Sequence, residues 1–405
     1  MISKKDILEY LESNYAEYSD TIQLYRDLMI DEINTLFNDV NSLKNINQIN
    51  AEKYFIEQII NEYISNIYLF IQRKNKLDNL KKLKLPEQRS LEWYEMRRDK
   101  LTASSLSAAL GGDHYSTRSK CLYDKIVNTP HESSIYTEWG TKYEEIATLF
   151  YQLITRTNVL EFGLIPHPEF PAFGASPDGI CDDTGPMEYT ARMLEIKCPP
   201  KRKFTKTILS GYWMQMQGQL EVCDLDECDF LQVKLEEYEN FEEYKNDIFD
   251  PEVIGKYSYP DVVDYNTTIT GKNIDNLPKG CTITYKKEGE ETLSYLYPKL
   301  LLSDNEYLQW IDSYKEKNLN IIEIKWWKIT RYELSTVLRD KKWWNNNIEH
   351  ILSFYNDFVY YSDNIQELSS IVDAENSKYK KKMVTIIPET KLPEFLLCDN
   401  SDSDD

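Results

Sequence analysis

The chain has 405 residues, 41% hydrophobic and 28% charged, with 13 Gly and 15 Pro, which is the composition of a folded protein with material for a core. Its formal charge of −21 argues against a protein that coats nucleic acid through its overall field, but leaves room for a locally basic cleft on an acidic body. No apolar run reaches the ~18 residues of a membrane span; the N-terminus reads as a helix start rather than a signal peptide; and seven cysteines at irregular spacing do not form a disulfide framework, so a soluble, intracellular protein is expected.

Residues 1–82 read as a helical region. Ile22, Tyr25, Leu28, Met29, Ile33, Leu36, Phe37 and Val40 recur at helical steps, and so do Tyr54, Ile59, Ile60, Tyr63, Ile64, Ile67, Tyr68 and Ile71. An Asn-rich connection at 43–50 would make them a hairpin that packs on the main domain or on a partner. The helices carry both charge signs, which argues against DNA contact. The run Lys81–Lys84 before Pro86 marks a boundary.

From 88 the character changes, and 88–360 reads as the main domain, with a core at 88–235 and 321–360 around an insertion at 236–320. Gln88–Arg97 looks helical, and Thr102 or Ser104 can cap a short helix Ser105–Leu110 ended by Gly111-Gly112. Helix caps outnumber phosphate-binding helix ends, so this feature alone carries little. A helix from Tyr136 through Leu153 presents either Glu144 or Glu145 to a site. Residues 158–173 suggest short strands broken by prolines. Met193–Lys197 alternates as a strand, with Leu194 and Ile196 on one side and Glu195 and Lys197 on the other.

The polar loop Asp182–Pro186 permits a hairpin that returns Glu195 beside Asp178. Two carboxylates and a lysine converging there would be costly to bury unpartnered. A hard divalent cation is the natural partner, because Mg²⁺ takes one or two carboxylates plus phosphate oxygens. Lys197, Lys201, Arg202, Lys203 and Lys206 make the strand and its exit locally basic. Next come a helix at 212–222 with Gln215 and Gln219 on one face, and a strand at 229–235. The order helix, strand, strand, helix, strand describes an α/β core with a mixed sheet flanked by helices.

The segment 236–320 is acidic, Tyr-rich and turn-rich, with a hairpin expected around Gly271, Gly280 and Gly289. A strand resumes at 321–329 and a Trp-rich helix follows at 340–361. Residues 363–405 read as a further helix and an acidic, disordered tail.

The pieces Trp93-xxx-Arg97, Thr102-Ala-Ser104, Trp139-Gly-xx-Tyr143-Glu144, Ser176-Pro-Asp178-Gly, Leu194-Glu195-Ile-Lys197-Cys-Pro and Tyr212-Trp-Met-Gln215-Met-Gln217 occur in the order found in one family. In them the domain resembles the YqaJ-type viral recombinase nucleases, which include the phage lambda exonuclease and have the PD-(D/E)xK restriction-endonuclease-like fold. The resemblance implies that Asp178, Glu195, Glu144 and the carbonyl of Ile196 hold Mg²⁺, with Mn²⁺ as a substitute. It makes Lys197 the catalytic lysine, Gln215 a glutamine near the metals, and Arg97, Ser104 and Ser176 a site for a terminal 5′ phosphate. Lys201, Arg202 and Lys203 would add DNA contacts. The 1–82 region and the 236–320 insertion have no counterpart in the short phage enzymes, so their ring-shaped trimer is not carried over.

The function expected is a metal-dependent DNA exonuclease acting 5′ to 3′ on duplex ends in viral-type recombination, repair or replication. Its implied partners are double-stranded DNA ends, a single-strand annealing protein and other copies of the chain. If viral, it would act in the cytoplasm or nucleus of an infected cell, or be packaged in the virion. The competing reading is a non-catalytic DNA-binding accessory protein on the same fold, against which the intact Asp178, Glu195 and Lys197 argue. Cys223-x₄-Cys228 lacks companions for an iron–sulfur cluster. His114, His131, His167 and His350 lack metal spacing, and Trp326-Trp327 and Trp343-Trp344 fit core packing better than base stacking.

Overall fold

The apolar steps of the first eighty residues do build helices, α1 (Lys4–Tyr15), α2 (Arg26–Asn38) and α3 (Ile46–Lys81), with a 3₁₀ stretch at Ala16–Tyr25. The computed structural model describes residues 3–38, 46–98, 100–113, 116–127, 134–201, 207–250, 252–253, 255–259, 271–289, 292–317 and 319–386. The chain divides into two units, one of residues 1–83 with 182–191 and one of 84–181 with 192–405.

In the first unit Ile7, Leu11, Ile22, Met29 and Ile33 are buried against Ile56, Ile60, Ile64 and Ile67. Ser3 starts α1 with a capping box closed by Asp6. Of the Asn-rich stretch 43–50, residues 46–50 already belong to α3 and residues 43–45 lie outside the described residues. The apolar stripes are also narrower. Leu28, Leu36, Tyr54 and Tyr68 are exposed, the Phe37 side chain and Val40 lie outside the described residues, and Ile22, Met29, Ile33, Ile59, Ile60, Tyr63, Ile64 and Ile67 of the expected stripes are buried. Asp183 pairs with Lys74 and Lys81, and the Glu188 carbonyl accepts from Arg73 at 2.9 Å.

The second unit is built on a mixed sheet. Its strands are β2 (Val159–Leu160), β5 (Gly179–Cys181), β6 (Met193–Lys197), β7 (Glu227–Glu237), β8 (Lys279–Lys286), β9 (Leu293–Leu296) and β10 (Ile321–Leu338), in the order β2-β5-β6-β7-β10-β8-β9. Among the described residues of this sheet only β6 and β7 pair in parallel, joined through α8 (Ser210–Cys223). A small second sheet holds β1 (Leu101–Thr102), β3 (Ile165–Pro166) and β4 (Phe173–Ala175).

Helix α7 (Ile135–Thr155) and α8 cover opposite faces of the main sheet. Successive β7 residues show this: Asp229 accepts from Tyr151 of α7, and Phe230 packs on Tyr212 of α8. The fold class expected from the sequence, a mixed sheet flanked by helices, is therefore present.

Several details differ. The strand expected at 321–329 runs on to Leu338, because its second half pairs with all of β7 while its first half pairs with β8. The segment 236–320 thus contributes β8 and β9 to the same sheet, and their turn holds Gly289 at φ +81. Helix α4 (Leu91–Arg98) starts three residues later than Gln88, and α5 (Leu106–Ala109) is a single turn. Neither Thr102 nor Ser104 caps that turn; the Thr102 hydroxyl lies 3.1 Å from that of Ser104 instead. The remaining helices are α6 (Arg118–Val127), α9 (Phe241–Asn246), α10 (Asp304–Glu316), α11 (Lys341–Asp363) and α12 (Ile365–Ile386). Trp326, Trp327 and Trp344 are buried, so three of the four paired tryptophans are core. Among the described residues six cysteines are buried free thiols.

Candidate active site

Strand β6 is paired on both edges, by β5 and β7, and lies between the helices that cover the sheet, so Glu195 is fully buried. A lone carboxylate could not sit there. Its Oε1 accepts from Lys197 and from Gln215 Nε2 at 2.7 Å, and its Oε2 accepts from Gln219 Nε2 at 2.7 Å. Both glutamines come from one face of α8, four residues apart. Gln219 was legible in the sequence as a neighbour of Gln215, but its role as a holder of Glu195 was not. The other motif glutamine, Gln217, faces away: its Nε2 donates to the Leu338 carbonyl and its Oε1 accepts from the Asp340 amide, tying α8 to β10 and α11.

Asp178 precedes β5, which pairs antiparallel with β6 through Gly179↔Leu194 and Ile180↔Met193. The hairpin brings its Oδ2 to 2.6 Å from the Ile196 amide, which donates. The connection is longer than a tight polar loop, spanning 182–192 with a 3₁₀ turn at Met187–Tyr189. A side chain at Gly179 would collide with Val159 of the edge strand β2, so the glycine after Asp178 lets that strand close in.

On α7 the structure selects Glu144 over Glu145. Tyr143 and Ala147 are buried, Glu144 is partly buried, and Glu145 is exposed. Tyr143 and Lys142 both donate to Glu237 of β7, at 2.5 and 2.7 Å, which fixes this part of α7 on the sheet. Glu144 pairs with Arg89 at 2.8 Å. Arg89 belongs to no motif, and nothing in the sequence singled it out.

Charge is unbalanced in this cluster. Burial raises the Asp178 carboxyl well above the usual carboxylate range, and the charges of Glu195 and Glu144 push the same way. Burial also raises Glu144, with Arg89 and Lys197 offsetting only part. For Lys197, burial works downward, but Glu195 and Asp178 outweigh it and hold the ammonium above its usual value. Its Nζ also lies 5.2 Å from the centre of the Tyr212 ring.

A hard divalent cation fits this donor set, since its charge would offset the burial and the carboxylate repulsion that raise Asp178 and Glu144. Among the described residues, however, no three acidic, imidazole or thiol groups stand together as a ready metal cage. The carboxylates are instead engaged by internal donors: Glu144 by Arg89, Asp178 by the Ile196 amide, and Glu195 by Lys197 and the two glutamines.

The residues expected to bind a terminal phosphate form one connected group. Arg97 lies over the Trp93 ring at 4.3 Å and donates to Ser104 Oγ at 3.3 Å, while Trp93 Nε1 donates to Ser176 Oγ at 3.1 Å. Among the described residues Arg97 meets no carboxylate, and burial lowers its guanidinium from the usual value. Lys201 is exposed after β6, and Arg202 and Lys203 lie outside the described residues. Of the histidines, His167 is buried and stacks on Trp344, His350 is exposed, and His114 and His131 lie outside the described residues.

Residues 92–226 match the family model of the YqaJ-like viral recombinase domain, so the resemblance carried by the ordered motifs holds over that stretch. An uncharacterized protein of Acanthamoeba polyphaga mimivirus is 31% identical over 315 residues, covering 69% of this chain and 54% of that protein. The chain thus spans about half the length of this curated relative. Among solved structures, an alkaline exonuclease from Laribacter hongkongensis is similar at 18% identity and a TM-score of 0.38, covering 70% of this chain and 100% of that one. A phage-related exonuclease from Haemophilus somnus is similar at 15% identity and a TM-score of 0.32, covering 66% of this chain and 96% of that one. No helix among the described residues is long and apolar enough to cross a membrane.

Proposed function

We propose that the chain is a Mg²⁺-dependent DNA exonuclease, with Mn²⁺ able to substitute, that hydrolyses phosphodiester bonds from the 5′ end of a duplex. The observation that carries this reading is the buried Glu195 carboxylate, paired with Lys197 on its own strand and adjoined across a hairpin by Asp178. Such a group is weak support for a fold, since a pair of apolar residues often serves stability as well or better.

In this reading Asp178, Glu195, Glu144 and the Ile196 carbonyl hold the cation. When bound, the cation supplies charge neutralisation at the phosphate and a more acidic water. Lys197 acts as an ammonium, donating to an anionic oxygen in the transition state rather than removing a proton, since its neighbours favour the charged form. Gln215 and Gln219 keep Glu195 from turning away. Arg97, with Ser104 and Ser176 beside it, receives the terminal phosphate; its fork of donors suits two phosphate oxygens. The substrate is double-stranded DNA ends, and a single-strand annealing protein and further copies of this chain are the partners that such a product calls for.

Purified protein with Mg²⁺ should degrade linear duplex DNA and spare a closed circle. Equal cutting of both would refute the exonuclease reading. DNA binding without any cutting would favour a non-catalytic accessory protein.

A further inference from the structure

Arg89 stands at the edge of the candidate site in a backbone conformation that side chains other than glycine rarely adopt, with φ +65. Its neighbours hold it there. Gln88 Nε2 donates to the carbonyls of Phe162 and Pro177, at 2.7 and 3.1 Å, and Pro177 is the residue before Asp178. Ser90 Oγ accepts from the Trp93 amide at 3.2 Å, capping α4. The guanidinium is thereby presented to α7, where Nη2 donates to Glu144 Oε1 at 2.8 Å.

A residue that strains the backbone and spends its charge on a proposed metal ligand calls for a reason. Surface packing does not supply one, because the Arg89 side chain is 48% exposed. Resting on the metal-dependent reading above, we propose that Arg89 is a positioning residue that acts through Glu144 and sets the affinity of the site for its divalent cation. With no cation bound, the guanidinium is the counter-charge of Glu144. A cation that engages Glu144 either shares the carboxylate with Arg89 or displaces it, and in both cases the guanidinium charge opposes its own, so the ion pair is an internal competitor. The exchange biases the site toward loading only when enough divalent cation is present. Because the pair is half exposed, the competition is modest, worth about a two- to fivefold change in cation affinity.

The test is calorimetric titration of the full chain with Mn²⁺ alone at about pH 8, where free carboxylates are ionised. It compares wild type, Arg89→Gly, Glu144→Gln and the double variant. Arg89→Gly should bind Mn²⁺ about two- to fivefold more tightly, and should melt no lower than wild type because glycine accepts the observed φ. In the Glu144→Gln background the same substitution should change affinity by less than about twofold, as a direct pair requires. Unchanged or weaker binding by Arg89→Gly, or an equal gain without Glu144, overturns the assignment. If wild type cuts linear DNA and Arg89→Gly leaves Mn²⁺ affinity unmoved, only the role of Arg89 falls. A wild type that neither binds Mn²⁺ nor cuts removes the nuclease reading with it.

Discussion

Gln219 Nε2 donates to Glu195 Oε2 at 2.7 Å across a sequence separation of 24 residues, and neither side chain is exposed. The other end of the amide, Oε1, has no hydrogen-bond partner among the described residues. The amide therefore serves Glu195 alone, which is the mark of a group kept to orient another.

Replacing Gln219 with Leu keeps volume and removes the orphaned oxygen, so the fold should survive while Glu195 loses one of its holders. Loss of such a supporting contact to a metal ligand typically costs about 10- to 100-fold in metal affinity or activity. We expect a fall of that size in cleavage rate at limiting Mg²⁺, with DNA binding in a chelator unchanged. A variant with the wild-type Mg²⁺ dependence would show that Lys197 and Gln215 hold Glu195 by themselves.

Lys197 should be intolerant of neutral replacement for two separable reasons. It is the cation bonded to a buried carboxylate, and it is the ammonium assigned to the reacting phosphate. Lys197→Met should reduce the cleavage rate by about 10²-fold or more. Its melting temperature should also fall, because Glu195 keeps only its glutamine donors. The paired substitution Glu195→Leu with Lys197→Met should recover much of the stability and none of the cleavage. Recovery of cleavage would remove both residues from the chemistry.

This pairing shows what a one-dimensional reading reaches. Glu195 and Lys197 lie two residues apart on one strand, so the alternation placed them together, and the loop before β6 implied the return to Asp178. Glu144 and Glu145 were not separable by spacing, since either could face inward; the buried Tyr143 and Ala147 fix the rotation of α7. Arg89 left no pattern, because an arginine held at positive φ looks like any turn residue until its partner on α7 is known. The length of β10 was missed because its second half, Thr330–Leu338, mixes polar and apolar residues where β7 runs beside it. The short α5 was over-read as a capped helix, because hydroxyl residues before an apolar run score as a cap whether or not a helix long enough to need one follows.

Arg97 gives a prediction about DNA ends. Among the described residues its guanidinium meets the Trp93 ring and the Ser104 hydroxyl and no carboxylate, so the charge is available to an incoming anion. Hydrogen bonds to charged groups are worth about 1.5–3 kcal/mol, or about 10- to 100-fold. Arg97→Ala should therefore slow degradation of a 5′-phosphorylated duplex by about that factor and leave a 5′-hydroxyl duplex nearly unaffected. Equal loss on both ends would mean that Arg97 supports the fold through Trp93 rather than reading the terminus.

Lys279 provides a test of pH dependence away from the site. It opens β8, is fully buried, and donates through Nζ to the carbonyls of Tyr244 and Asp247, with the Tyr244 ring 4.1 Å away. Burial lowers its ammonium to about 8, and Asp304 and Asp247 offset only part of that fall. An unfolded lysine titrates near 10.4. Between those values the unfolded chain binds more protons than the folded one, so this residue makes stability rise with pH across about 8 to 10.4. Below about 8 both states hold the proton and the folded state carries the full penalty. Unfolding midpoints in denaturant, measured from about pH 7 to 9.5 to stay below tyrosine ionisation, should show the wild type gaining on Lys279→Met as pH rises. A constant difference between the two across that range would mean that the buried ammonium titrates near its ordinary value, its two carbonyls and the tyrosine ring replacing the water it has lost.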